Sequence, residues 1–287
     1  MPHDSGILYV VATPIGNLAD FSLRAIETLQ QVDIICAEDT RHARTLLQHH
    51  GITTHCLSLH QHNEAQVSAS FIEKLQQGQS IALISDAGTP LISDPGMPLV
   101  QLAQQANIKV SPIPGACALI AGLSAVGLPT SQFSFIGFVP RTSNARQAVF
   151  TEQKDNPHTW IFYESCHRIL HCLNDLIAVL PPEREIAIAR EITKLHETII
   201  KAPLHEMLHL VENDSNMQRG EFVVMITGTP VIKQTDTLTE VQLNTLKILL
   251  TECSIKTAVN LAVKITGVRK KLLYQTALEL KPITATP

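Results

Sequence analysis

The chain has 287 residues, of which 45% are hydrophobic and 17% charged, and its formal net charge at pH 7 is −4. This composition is typical of a soluble globular protein with a substantial core, in one large domain or two to three small ones. The longest apolar stretch is broken by glycines, the N-terminus lacks a signal pattern, and six cysteines show no CxxC spacing. We therefore expect no membrane span, no secretion and no disulfide framework. We expect a cytoplasmic location.

The first half of the chain alternates short apolar runs with helical patterns. Strands alternating with helices of about ten to fifteen residues indicate an α/β sheet with parallel strands. Asp20 or Ser22 is expected to cap the first helix, and Gly51 to end the second. The predicted strands cover residues 6–13, 32–39, 80–88 and 109–115, and the predicted helices cover 20–31, 40–51, 63–78, 97–107 and 116–127.

A second section begins near Phe133. A polar stretch at 230–240 follows it and is interpreted as a linker into an all-helical tail. Within the section, strands are predicted at 158–165, 184–191 and 220–228, with helices at 166–180 and 203–213.

The tail differs from the rest of the chain in charge. Residues 231–287 contain eight Lys or Arg and four Asp or Glu, a net charge of +4, which leaves −8 for the remainder. A basic appendage on an acidic body suggests a polyanionic partner. A solvated basic helix surface is the alternative.

The order of residues in the tail predicts a helix-turn-helix. Ser254 is expected to cap the second tail helix and Gly267 to turn the chain. A last helix then begins at Arg269, Lys270 and Lys271. Basic residues at the start of the final helix suit contact with RNA. The alternative is a small helical module that stabilises a dimer.

Four loops rich in glycine and proline follow predicted strands. Ligands bind beyond the carboxyl ends of the strands in parallel α/β sheets, and glycine lets the backbone approach a ligand closely. These loops predict a ligand held mainly by main-chain groups, unless they are only tight turns. Phosphate-loop, dinucleotide and nucleophile-elbow motifs are absent. The four loops are residues 13–17, 85–96, 112–118 and 138–146.

Six segments together resemble a known family. They are similar to the small-subunit ribosomal RNA methyltransferase I group of the tetrapyrrole-methylase superfamily, from about Leu8 to Leu278. Gly88, Thr89 and Pro90 stand where porphyrin methylases of the superfamily carry Gly-Asp-Pro, which marks the RNA-directed branch. The segments are LYVVATPIGNLADFSLRAIETL, AEDTRHARTLLQHHGI, ISDAGTPLISDPG, PGACALIAGLSAVGLP, FYESCHRIL and AREITKLHE.

The resemblance implies an architecture and an activity. Two α/β domains of the tetrapyrrole-methylase type, at 1–118 and 119–230, are expected to hold the cofactor in the cleft between them. A basic helical domain at 231–287, similar to a helix-turn-helix, is expected to bind RNA. The implied methyl donor is S-adenosylmethionine, and the implied acceptor is the ribose 2′-OH of the decoding-centre cytidine, position 1402, of 16S rRNA. The protein is expected to be a homodimer.

The resemblance also assigns residues to the cofactor. Main-chain groups of two loops are expected to hold its methionine and adenosine parts. A sulfonium cofactor needs no phosphate clamp, which agrees with the missing phosphate-loop motif. The first loop supplies Gly88, Thr89, Leu91, Ile92 and Ser93, the second supplies Ala116, Cys117 and Ala118, and Pro14, Phe162 and Tyr163 are expected to line the same cleft.

Methyl transfer from a sulfonium is an in-line displacement, which requires alignment of the acceptor oxygen and loss of its proton. Charged residues in three clusters beside the cleft are the catalytic candidates. Asp39 has the alternative role of a helix cap, Glu164 and Arg168 that of a surface ion pair, and Glu191 that of a structural network. The candidates are Asp39, Arg41, Glu164, Arg168, Glu191 and Lys194, with Glu38, His167 and Arg190 beside them.

Histidines are frequent at 49–64, but their spacing does not match a zinc site, and no metal is expected. His60 and Asn63 are instead expected in a substrate-side loop, because the family has a similar block. Arg141 and Arg146 are expected to bind RNA together with the basic residues of the tail.

Two other functions compete with RNA methylation. The first is a small-molecule methyltransferase of the tetrapyrrole type, against which the basic tail and the Gly-Thr-Pro sequence argue. The second is a non-catalytic RNA-binding assembly factor, against which the intact cofactor loops argue.

Overall fold

The computed structural model describes residues 5–229 and 238–280, and the chain divides into two compact units after Thr229. We call them the N-terminal unit and the helical unit. Most of the predicted linker, residues 230–237, lies outside the described residues. No helix in the described part of the chain is long and apolar enough to cross a membrane.

The first sheet of the N-terminal unit is entirely parallel, as the sequence predicts. Strands β2 (Ile34–Ala37) and β4 (Ile81–Ile84) are buried along their whole length, which is typical of parallel strands covered on both faces. Strand β3 (His55–Ser58) is not predicted from the sequence, because its polar residues give no apolar run. The strands are β1 (Ile7–Val11), β2 (Ile34–Ala37), β3 (His55–Ser58), β4 (Ile81–Ile84) and β5 (Lys109–Ile113), in the order β3-β2-β4-β1-β5.

Four helices cover the first sheet. The Ser22 hydroxyl accepts a hydrogen bond from the Ala25 amide at 3.1 Å, so Ser22, not Asp20, caps the first of them. Gly51, with a φ of 64°, follows the second helix as expected. The helices are α1 (Leu23–Gln31), α2 (Thr40–His49), α3 (Glu64–Gln76) and α4 (Met97–Gln105).

The second sheet is mixed, since only its β6–β7 pair is parallel. Two of its strands, β6 (Phe133–Phe138) and β9 (Thr198–Pro203), and one helix, α6 (Ser143–Gln153), are not predicted from the sequence. The strands are β6 (Phe133–Phe138), β7 (Thr159–Ser165), β8 (Glu185–Arg190), β9 (Thr198–Pro203) and β10 (Glu221–Ile226), in the order β6-β7-β10-β8-β9. The helices are α5 (Ala118–Ala125), α6 (Ser143–Gln153), α7 (Ile169–Val179) and α8 (Leu204–Asn213).

The second sheet has an apolar core on each face. Trp160 and Phe162 of β7 pack with Phe150 of α6 on one face. On the other face, α5 packs closely, and a Cβ added at Gly122 would lie 3.3 Å from the Cβ of Ala189. The expected boundary between residues 118 and 119 falls inside the N-terminal unit, and the division into three domains stays a prediction.

The helical unit contains α9 (Glu240–Glu252), α10 (Ile255–Thr266) and α11 (Lys270–Leu280). Ser254 caps α10 through the Thr257 amide at 3.3 Å, and Gly267 ends it with a φ of 67°. Both roles were expected from the sequence. Ala258, Val259 and Ala262 are fully buried in a core made of residues from this unit.

Candidate active site

A cavity of about 460 Å³, which we call the cleft, opens between the two sheets of the N-terminal unit. One wall comes from loops at the carboxyl ends of β1, β2, β4 and β5. The other comes from the ends of β6, β7 and β8. The start of β10 joins this second wall, because β10 is antiparallel to β7 and β8. The cleft is thus at the edge where parallel α/β sheets bind their ligands.

Hydrogen bonds join three of the glycine- and proline-rich loops. The Thr13 amide donates to the Gly88 carbonyl at 2.8 Å, and the Gly88 amide donates back to the Thr13 carbonyl at 3.1 Å. The Thr89 hydroxyl donates to the Ala116 carbonyl at 3.1 Å. Gly88 has a φ of 85°, a conformation that other residues adopt at a cost.

The loop after β4 holds two further residues in the left-handed region. Leu91 has a φ of 73° and Ser93 a φ of 69°. Non-glycine residues in this region store local strain, and such strain clusters at functional sites. The loop is therefore preorganised by the surrounding fold.

Most of the residues predicted to contact the cofactor lie on the cleft wall. Pro14, Leu91 and Ala116 are chain neighbours of wall residues but are not on the wall. For every residue predicted to contact the cofactor, on the wall or beside it, the contact itself stays a prediction. On the wall are Gly88, Thr89, Ile92, Ser93, Cys117, Ala118 and Tyr163.

The structure corrects the prediction for Phe162. Successive residues of a strand face opposite sides of the sheet. Tyr163 faces the cleft, so Phe162 faces the other side, where it packs on Trp160 with no exposed surface. The Phe162 side chain therefore belongs to the core.

Tyr163 and Phe138 are the aromatic residues of the cleft wall, with ring centroids 5.5 Å apart, and Phe135, which is not on the wall, packs on Tyr163 at 4.8 Å. Its hydroxyl oxygen accepts a hydrogen bond from the Leu119 amide at 3.2 Å. Burial raises the pKa of Tyr163 well above its usual range, so the phenol stays protonated and can donate a hydrogen bond.

Of the carboxylates on the cleft wall, Glu38, Asp86 and Asp94 form a cluster at the ends of β2 and β4. Burial and the charges of Glu38 and Asp86 raise the pKa of Asp94 to about 6. Burial and the charge of Asp86 also raise the pKa of Glu38. Asp86 and Asp94 are not among the residues predicted from the sequence, although both belong to the loop SDAGTPLISDPG. This acidic cluster suits a cationic ligand.

Asp39 and Arg41 do not line the cleft. Asp39 caps α2 through the Arg41 amide at 2.8 Å and pairs with the Arg41 guanidinium at 2.7 Å. Hydrogen bonds from Arg41 hold the pKa of Asp39 well below its usual range. The Asp39 amide donates to the Asp86 carboxylate at 3.1 Å, so this helix cap positions a cleft residue.

Glu191, Lys194 and Glu221 form an ionic network on the cleft wall. The Lys194 ammonium lies 2.9 Å from Glu191 and 2.8 Å from Glu221. Burial works against ionisation of Glu191, but hydrogen bonds from Lys194 and the Glu221 amide outweigh it and lower the Glu191 pKa. A carboxylate held in this way is a weak proton acceptor, which favours the structural role for Glu191.

Glu164 and Arg168 form an ion pair with one buried partner. Arg168 lies 2.7 Å from the Oε1 atom of Glu164, whose side chain has no exposed surface. The Ser165 amide donates to the same oxygen at 2.7 Å. The Oε2 atom is buried without a hydrogen-bond partner among the described residues. The pair is thus more than a surface ion pair, and its catalytic role stays a prediction.

The residues predicted to bind RNA belong to both units. Asn63 accepts a hydrogen bond from the His60 amide at 2.8 Å and closes the loop before α3. Lys270 and Lys271 are exposed at the start of α11. Arg141 is exposed. Among the described residues, no group of three or more His, Cys, Asp or Glu side chains could hold a metal ion.

The structure corrects the prediction for Arg146. Its side chain is 3% exposed and forms an ion pair with Asp175. Its Nε donates to Asp175 at 2.7 Å and its Nη1 donates to the Pro140 carbonyl at 3.3 Å. Arg146 therefore has no exposed guanidinium with which to bind RNA.

Comparisons with known proteins agree with this fold. The family model described as Tetrapyrrole (Corrin/Porphyrin) Methylases matches residues 7–208, and one described as RsmI C-terminal HTH domain matches residues 236–281. The solved uroporphyrin-III C-methyltransferase of Thermus thermophilus, complexed with S-adenyl homocysteine, aligns with a TM-score of 0.53 and 14% identity. The alignment covers 77% of this chain and 97% of that one, and at this identity it shows the fold alone.

Two curated relatives are much closer in sequence. Proteins named ribosomal RNA small subunit methyltransferase I from Escherichia coli and Pseudomonas aeruginosa are each 49% identical to this chain. The alignments cover 96% of this chain, with 96% of the first relative and 98% of the second. The chain therefore belongs to the tetrapyrrole methylase family and, within it, to the ribosomal RNA small subunit methyltransferase I group. The predicted fold class is confirmed.

Proposed function

We propose that this protein methylates the ribose 2′-oxygen of the decoding-centre cytidine of 16S rRNA. The observation that carries the proposal is the 49% identity, over nearly the whole chain, with two small-subunit rRNA methyltransferases. The chain is accordingly an rRNA methyltransferase that uses S-adenosylmethionine. The choice of the cytidine and of its 2′-oxygen rests on the sequence resemblance.

The cleft fits this cofactor in size and charge. A volume of about 460 Å³ lies within the roughly 300–1,000 Å³ of small-molecule sites. S-adenosylmethionine carries a positive sulfonium and an ammonium group, and Glu38, Asp86 and Asp94 supply negative charge. Main-chain groups around Gly88 can come close to it because this residue has no side chain.

The chain's own residues contribute orientation and proton uptake. The bound cofactor supplies the methyl group. The hydrogen-bonded loops around Thr13 and Gly88 fix one wall, and such positioning accounts for several kcal/mol of a barrier. Glu38 and Asp94, whose pKa values are raised, are the carboxylates suited to take up a hydroxyl proton near neutral pH.

A methylation assay tests the proposal. Small ribosomal subunits and free 16S rRNA from cells that lack this methyltransferase are incubated with the protein and methyl-labelled cofactor. Methylation of a ribose 2′-oxygen blocks alkaline cleavage at that position, so the labelled nucleotide should appear in an alkali-resistant dinucleotide that contains cytidine. Label that alkali releases as a mononucleotide would place the methyl group on a base and contradict the proposal.

A small-molecule methyltransferase would instead transfer label to a tetrapyrrole and leave rRNA unlabelled.

The expected homodimer and the cytoplasmic location stay predictions. Light scattering on the purified protein measures its oligomeric state.

A further inference from the structure

A second cavity, of about 260 Å³, lies where α6 and α7 begin. We call it the arginine pocket, because Arg141, Arg146 and Arg168 contribute to its wall. None of its wall residues also lines the cleft. A water molecule takes about 30 Å³ of liquid volume, so the pocket can hold a hydrated phosphate group.

A buried ion pair forms the rigid part of the pocket. Asp175 accepts hydrogen bonds from Arg146 Nε at 2.7 Å and from the Ser143 hydroxyl at 2.6 Å. These contacts join α6 to α7. Because Arg146 and Asp175 neutralise each other, they shape the pocket and add no net charge to it.

The remaining side-chain charge of the pocket is positive. Arg168 is paired with Glu164 but keeps 22% of its side chain exposed. Arg141 is exposed, and no carboxylate in the described ranges forms an ion pair with it. Three arginines against Asp175 and Glu164 leave one positive charge. The planar guanidinium fork suits phosphate oxygens.

Two helix N-termini add to this potential. Helices α6 and α7 both begin at the pocket. Neither N-cap side chain, that of Thr142 or that of Arg168, forms a hydrogen bond with the backbone amides of the first helical turn. Uncapped amides at a helix start carry partial positive charge and bind anions. The helix starts and the arginines therefore favour the same kind of ligand.

The arginine pocket lies next to the cleft. Phe138 is on the cleft wall, and the three residues from it to Arg141 span at most about 10 Å. Ser165 is also on the cleft wall, and its hydroxyl accepts a hydrogen bond from Arg168 Nε at 3.3 Å. An anion in the pocket is therefore close to a substrate in the cleft.

We propose that the arginine pocket binds a backbone phosphate of the RNA substrate, beside the nucleotide that enters the cleft. This inference rests on the proposed function and adds where the substrate's phosphate lies. Free phosphate has the same chemistry, so the test must separate the two sources.

The test compares Arg141→Ala with Lys154→Ala. Lys154 is an exposed cation next to the carboxyl end of α6, at the opposite end of the helix from the pocket. Affinity for a labelled 16S rRNA transcript is measured over a salt series, with cofactor affinity on the same samples. Arg141→Ala should weaken RNA binding by roughly tenfold and lower the salt-dependence slope by about 0.7–0.9. Cofactor affinity should not change, and Lys154→Ala should match the wild type.

Equal RNA affinity and slope in both variants and the wild type would overturn the proposal. So would a result in which inorganic phosphate raises the melting temperature of the wild type but not of Arg141→Ala, while RNA binding is the same in both. That result would assign the pocket to free phosphate. If either of these two results is obtained and the wild type still methylates rRNA, only the assignment of the arginine pocket to an RNA phosphate is rejected. A wild type that does not label rRNA overturns the proposed function instead.

Discussion

Asp94 is a partly buried carboxyl group on the cleft wall, and its charge opposes the stability of the folded protein. Its carboxyl group is held near Glu38 and Asp86 on the cleft wall, and its pKa is raised from 3.8 to about 6. The folded protein therefore binds this proton more tightly than the unfolded chain does. The stability from protonated Asp94 is present below about pH 4 and is lost as the pH rises to about 6.

Asp94→Asn should raise the free energy of unfolding at about pH 7.5 and change it little at about pH 4. The neutral amide removes the cost of a partly buried charge, roughly 1 kcal/mol once solvent screening is allowed for. Urea unfolding at the two pH values measures the effect. An equal gain in stability at both would show that the charge is not its cause.

The same variant should bind S-adenosylmethionine more weakly at neutral pH, because one carboxylate facing the cationic cofactor is lost. Wild-type affinity should increase as the pH rises through about 6, whereas the affinity of Asp94→Asn should vary less. Calorimetric titration from about pH 5 to pH 8 measures both curves. Parallel curves would argue that Asp94 does not face the cofactor.

Gly88→Val should abolish cofactor binding and leave the protein folded. A φ of 85° disfavours valine, and a Cβ at this position would lie 3.3 Å from Ile15 Cγ2. Gly51→Val is the matched control, since Gly51 has a φ of 64° and open space around it. Circular dichroism measures folding, and calorimetry measures cofactor affinity. If both variants bind the cofactor equally well, the Gly88 loop is not the binding loop.

At the scale of elements, the N-terminus of α11 has more Lys and Arg residues than that of any other helix in the described ranges. Arg269, Lys270 and Lys271 are exposed there. The core of the helical unit is made of its own residues, so changes at this exposed end leave that core intact. This arrangement favours an RNA contact over a purely structural module.

Replacing Arg269, Lys270 and Lys271 with alanine should weaken RNA binding and leave cofactor affinity nearly unchanged. Three lost phosphate contacts lower the salt-dependence slope by roughly two to three units, at about 0.7–0.9 per contact. RNA affinity over a salt series measures this slope. Lys154→Ala again serves as the control, and an unchanged slope in the triple variant would make the tail structural.

Strands β3 and β9 of the structure are not predicted from the sequence, and their positions in the sheets show why. β3 (His55–Ser58) is too polar to show an apolar run, and its pairing with β2 compensates for its weak pattern. β9 (Thr198–Pro203) is an edge strand that pairs with β8 alone. Strand formation at such positions depends on pairing with a neighbouring strand in the sheet, and local propensity does not report that pairing.

At a larger scale, the cleft lies between the two sheets of the N-terminal unit, and its wall residues come from segments far apart in the sequence. Loops at the ends of strands from both sheets form its walls. A ligand in the cleft binds the folded N-terminal unit and not the unfolded chain. Cofactor binding should therefore stabilise the whole unit through linkage.

S-adenosylmethionine at about 100 times its dissociation constant should add roughly 2.7 kcal/mol to the free energy of unfolding and raise the melting temperature. Because no metal-ligand cluster is present among the described residues, EDTA should not alter the increase. Differential scanning fluorimetry measures the melting temperature with and without the chelator. An increase that needs a divalent cation would contradict the expected metal-free site.

The sequence by itself determined the features that depend on local chemistry, such as helix caps, turns and the order of strands and helices. The cap at Ser254 and the turn at Gly267 follow from hydrogen-bonding groups and backbone freedom, and both are found where the sequence predicts them. The order of strands and helices likewise indicated the α/β class. These features depend on residues a few positions apart, which a sequence displays directly.

Only the tertiary structure decided which side of a strand faces the cleft and which charges meet. Period-two alternation separates Phe162 from Tyr163 but does not say which of them is in the core. Asp94 acquires its raised pKa from burial and from Glu38, 56 positions away in the chain. Arg146 lost its predicted contact with RNA because Asp175, on another helix, neutralises it. Burial and charge pairing arise from contacts between distant segments, and such contacts exist only in the folded chain.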